Sequence, residues 1–99
     1  MAYESKFKKK DIDELFEAIL LLEDEEDCYR FFEDICTIKE LQDLSQRLET
    51  AIMLRKGINY QNISKQVGVS SATISRVNRC LQYGKGGYES AIKKLSREE

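Results

Sequence analysis

Apolar residues in this chain recur three and four positions apart almost from end to end, and no useful stretch alternates with a period of two. That spacing lines one face of an α-helix and does not line one face of a strand. Ile12, Leu15, Phe16 and Ile19 predict a first helix over about Asp11 to Leu22. Asp24 is placed to cap a second, with Glu25, Glu26 and Asp27 offsetting the positive helix end. Cys28, Phe31, Phe32 and Ile35 carry that helix to about Cys36. The chain has no proline, so nothing in it blocks a long helix.

Thr37 and Glu40 have the spacing of a capping box opening a long third helix over residues 37–56. Leu41, Leu44, Leu48, Ala51 and Ile52 form its expected buried stripe, and Gly57 ends it. Asn59 caps a short fourth helix through Val67, and Ser70 a fifth through Tyr83. Tyr88, Ala91, Ile92 and Leu95 mark a sixth. The expected fold class is therefore all-α, with about six helices in one domain spanning residues 1–99. Residues 1–10, with Lys6, Lys8, Lys9 and Lys10, read as a flexible arm, either solubilising or reaching phosphate.

The net charge of −2 by itself argues against a nucleic-acid partner, but it hides a split. Residues 1–36 carry 5 basic and 12 acidic side chains, and residues 37–99 carry 11 basic and 6 acidic. From Arg55 to Arg97 there are nine basic residues against the single acid Glu89. Such sign asymmetry suggests two jobs, one of them on an anionic partner. The absence of histidine removes the usual acid–base catalyst and the commonest metal ligand. Cys28, Cys36 and Cys80 are odd in number and form no C-x-x-C, which fits a reducing cytoplasm better than a disulfide or zinc framework. The longest apolar run, Ala18 to Leu22, is too short to span a bilayer and lies too deep and too acidic for a signal peptide, so no membrane partner is expected.

The segment from Tyr60 to Arg79 carries the function. A helix-turn-helix, here residues 59–83, needs two short helices around a small shared core. Ile63, Val67, Val69, Ile74 and Val77 supply apolar positions, Ser64 a small contact residue, and Gly68 a turn position that tolerates positive φ. The second helix then offers Ser70, Ser71, Ala72, Thr73, Ser75, Arg76 and Arg79, all small, hydroxylated or basic, for the major groove. On the preceding helix, Lys65 is placed toward phosphates and Gln61 is a further candidate DNA-binding residue. Double-stranded DNA is the expected partner and no enzymatic activity is expected. The alternative is a helical interaction or dimerisation module without DNA binding, which the acidic Asp24–Asp27 segment and the pI of about 5.3 would suit.

Over Thr37 to Leu81 the chain resembles the Trp repressor superfamily, in particular its YerC/YecD-like branch. The residues carrying the resemblance are Thr37 to Glu40, Leu44, Arg47, Leu54, Arg55-Lys56-Gly57, Gln61, Ile63, Val67-Gly68 and the run Ala72 to Arg76. The resemblance implies an intertwined homodimer, acting as a transcriptional repressor on a palindromic operator whose half-sites lie one helical turn apart. It also implies a small carboxylate or amino-acid effector, held by Arg47 and Arg76 and flanked by Thr37, because paired guanidiniums suit a carboxylate. Val77 stands where the repressor has a glycine beside the indole, which argues against tryptophan itself. Asp34 and Cys36 replace leucines near that pocket, and one residue is missing between Gly57 and Gly68.

Overall fold

The computed structural model describes residues 3–97, and Arg97 only as backbone. Six helices and no strands make up these described residues. They group into two compact units, one through Thr37 and one from Ile38. Residues 1 and 2 of the expected arm lie outside the described residues. Lys10 already belongs to the first helix.

The first unit holds α1 (Lys10–Leu20) and α2 (Glu25–Ile35). Helix α1 has no side-chain cap, but Asp11 and Asp13 lie in its first turn and Lys8 bonds Asp13 at 2.7 Å. It ends at Leu20, two residues before the expected Leu22, and Leu21 N–H closes the last turn by donating to the carbonyls of Glu17 and Ala18. Helix α2 starts at the expected cap. Asp27 N–H donates to Asp24 Oδ1 at 2.8 Å, while Asp27 Oδ2 accepts from Glu23 N–H at 3.1 Å. This reciprocal pair satisfies two backbone donors that the helix itself leaves open. Phe31 and Phe32 meet edge-on, ring centres 5.4 Å apart. Neither helix buries a single residue. Phe16, Leu20, Leu21, Tyr29 and Ile35 are all more than half exposed, so this unit supplies no apolar cover of its own for two amphipathic helices.

The second unit holds α3 (Ile38–Arg55), α4 (Tyr60–Val67), α5 (Ser71–Tyr83) and α6 (Gly87–Arg97). Helix α3 packs against the other three, and α5 packs against α4 and α6. The core is small: Ala51, Met53, Ile63, Val69, Ile74 and Val77, with Leu54, Ile58 and Val67 packed at its edge. Fully burying a side chain the size of Ile63 or Ile74 stabilises by about 1.5–3 kcal/mol. The buried face of α3 differs from the expected stripe. Thr50, Ala51 and Met53 are its buried residues; Leu41, Leu48 and Ile52 are only half-buried, and Leu44 is exposed. The reason is positional, since the buried residues all lie in the last turns of the helix. Thr50, wholly buried, satisfies its hydroxyl by donating to the Gln46 carbonyl at 2.7 Å.

Candidate nucleic-acid interface

Helices α4 and α5 form the helix-turn-helix, and local chemistry sets each boundary. Asn59 Oδ1 accepts from Asn62 N–H at 2.9 Å and opens α4. Gly68 ends it with φ +84°, a left-handed conformation that costs an L-residue with a Cβ about 1–2 kcal/mol. Ser64, the small residue at the contact, donates to the Val69 carbonyl at 2.7 Å and so ties α4 to the turn. Ser70 Oγ accepts from Thr73 N–H at 3.2 Å and opens α5. Ile63, Val69, Ile74 and Val77 are buried, while Val67 is half-buried. Helix α5 stops at Gly84, where an added Cβ would collide with the Cys80 carbonyl oxygen.

Around that core the candidate DNA-contacting residues are arrayed outward. Ser70, Ser71, Ala72, Ser75, Arg76 and Arg79 are exposed on α5 and its cap, and Gln61 and Lys65 are exposed on α4. Thr73 departs from the expected outward position. It is half-buried, and its Oγ1 accepts from the Ser70 hydroxyl at 3.2 Å. Three residues past a cap, the helix turns back over the capping side chain, so Thr73 serves the start of α5. None of the exposed basic side chains on this surface, Lys65, Arg76 or Arg79, takes part in an ion pair among the described residues. Arg55 does: it bonds Glu89 at 2.9 Å, which neutralises the only acid between Arg55 and Arg97.

Arg47 and Arg76, far apart in sequence, line one cavity of about 150 Å³ together with Thr73, Val77, Cys80 and Tyr88. Asp43, four residues before Arg47 on α3, is paired with Lys39 at 3.2 Å. Thr37 is exposed at the end of the first unit, and the cavity lining comes wholly from the second. Cys80 is exposed and lines this cavity. Sequence reasoning placed Tyr88 only as an apolar position on the last helix. Burial and the nearby Cys80 push its phenol pKa above the ordinary 10.0, against the lowering pull of Arg47 and Arg76. The only signal in the sequence was a tyrosine where an aliphatic residue would have completed the stripe.

Among the described residues, no group of three or more histidine, cysteine, aspartate or glutamate side chains could hold a metal ion. No described helix is long and apolar enough to cross a membrane.

Comparison with known proteins places this geometry. The family model described as "Trp repressor protein" matches residues 10–96. The uncharacterized protein YerC of Bacillus subtilis (strain 168) is 53% identical over 94 residues, covering 95% of this chain and 90% of that one. The crystal structure of a TrpR-like protein from Eubacterium eligens ATCC 27750 matches with a TM-score of 0.89 at 49% identity, over 92% of this chain and 94% of the other. A candidate Trp repressor from Staphylococcus aureus matches with a TM-score of 0.88 at 47% identity, over 92% and 91% of the two chains. The chain therefore belongs to the Trp repressor family of helix-turn-helix DNA-binding regulators, on its YerC-like branch.

Proposed function

We propose that the protein is a homodimeric, sequence-specific repressor that reads a palindromic operator with the first turns of α5. The observation that carries this reading is the surface of α5. Ser71, Ala72, Ser75, Arg76 and Arg79 are exposed together, while Ile74 and Val77 on the opposite side are locked in the core. A rigid helix with small side chains at its N-terminus fits the major groove, and arginine can bind guanine in a bidentate way. Lys65 and Gln61 on α4 are assigned to the phosphate backbone.

The dimer is supported by what α1 and α2 lack, since neither helix buries a residue within the chain. A second copy would cover Phe16, Leu20, Tyr29 and Ile35 and set two copies of α5 one helical turn apart. Any small carboxylate effector would lie between Arg47 and Arg76.

The test is an alanine set at Ser71, Ser75, Arg76 and Arg79, titrated with duplex DNA selected by the wild-type protein. Each lost base contact is expected to cost about 1–3 kcal/mol. Affinity should fall steeply with salt, by about one logarithmic unit per decade of salt for each phosphate contact. Unchanged affinity across the whole set would overturn the assignment.

A further inference from the structure

The cavity between the two arginines is small for a ligand site. Pockets for small molecules begin at roughly 300 Å³, and this one holds about 150 Å³. Two side chains restrict it. Val77 is 2% exposed, locked in the core, and cannot swing aside. Tyr88 is half-buried on the first turn of α6. An open surface depression of about 490 Å³, formed by Gly84, Lys85, Gly87 and Ala91, is also lined by Cys80 and Tyr88. The two cavities thus share Cys80 and Tyr88 as lining residues. The neighbouring residue Glu89 holds this turn of α6 against α3 through its bond to Arg55. Both guanidiniums lie near enough to act on the phenol's charge.

We propose that Tyr88 is a built-in occupant of the space between α3 and the recognition helix, supplying the aromatic ring beside Arg47 and Arg76 that a free effector would otherwise bring. DNA binding then neither needs nor responds to a free aromatic amino acid, and docking of α6 sets the position of α5. This rests on the reading of α5 as the DNA-binding helix. It deepens that reading by assigning the control element to the chain itself. A small carboxylate without a ring could still reach the arginines beside Tyr88.

The test compares the wild-type protein with Tyr88→Ala and Tyr88→Phe, using phenol and L-tryptophan as probes. Calorimetry should detect no binding of either probe to the wild type and should detect phenol binding to Tyr88→Ala, whose missing side chain it replaces. Duplex affinity should fall roughly tenfold in Tyr88→Ala, within the usual range of coupling between sites, and phenol should restore it. Tyr88→Phe should stay near wild type, because it keeps the ring. Binding of L-tryptophan to the wild type with a gain in duplex affinity would overturn the proposal, and this arm requires no variant to fold. A folded Tyr88→Ala protein that ignores phenol would overturn it as well. The calorimetric arm contains no DNA, so a wild type that binds no duplex would sink the functional reading while leaving the occupancy of the cavity tested.

Discussion

Arg55 and Glu89 bond at 2.9 Å across 34 residues of chain and tie the last turn of α3 to the first turn of α6. The pair is about half exposed, so its own contribution to stability is small, about 0–1 kcal/mol, and screened by salt. Glu89→Gln is expected to lower the thermal midpoint only slightly at low salt and not at all at high salt. A large loss at both salt levels would show that the pair does more than hold two surface turns together.

Ser70 opens the recognition helix with a single side-chain cap. Ser70→Ala removes an acceptor from one orphan N–H and is expected to cost about 1 kcal/mol. Ser70→Gly should cost only a few tenths. Urea unfolding of both variants checks the order, and equal losses would contradict the capping role.

Gly68 has φ +84°, and an added Cβ would meet nothing within 4 Å. Gly68→Ala therefore tests backbone conformation without a clash. A loss of about 1–2 kcal/mol is expected from the left-handed conformation alone. No loss would mean that the turn relaxes, and duplex affinity should then change instead, because the angle between α4 and α5 would have moved.

Tyr88 ionises above the ordinary 10.0 in the folded protein, because burial and Cys80 outweigh the two arginines. The folded state therefore prefers the neutral phenol. Its contribution to stability is complete below pH 10.0 and is lost as pH rises from there through the folded-state value. The difference in tyrosinate absorbance between wild type and Tyr88→Phe should appear above pH 10.0. A difference that rises below that pH would contradict the burial of this ring.

Helix order and helix starts were legible because they are local. Asp24, Asn59 and Ser70 each accept from a backbone N–H three residues on, a short-range interaction that the sequence spacing shows directly. The turn at Gly68 was legible for the same reason. The buried face of α3 was legible only at Ala51, since periodicity also offered Leu41, Leu44, Leu48 and Ile52, whereas the neighbouring helices selected Thr50 and Met53. At the site, the outward set on α5 followed from its own period, except Thr73, where capping competed with presentation. The meeting of Arg47, Arg76 and Tyr88 comes from three helices and depends on packing that no local pattern encodes.

The most direct test of the central claim is selection of duplex DNA from a random pool by the purified protein, repeated with a variant in which Ser75 and Arg76 are both alanine. The account predicts enrichment by the wild type of a palindrome with half-sites one helical turn apart, and no enrichment of it by the variant. An unenriched pool, a site without two-fold symmetry, or the same palindrome selected by both proteins would contradict it.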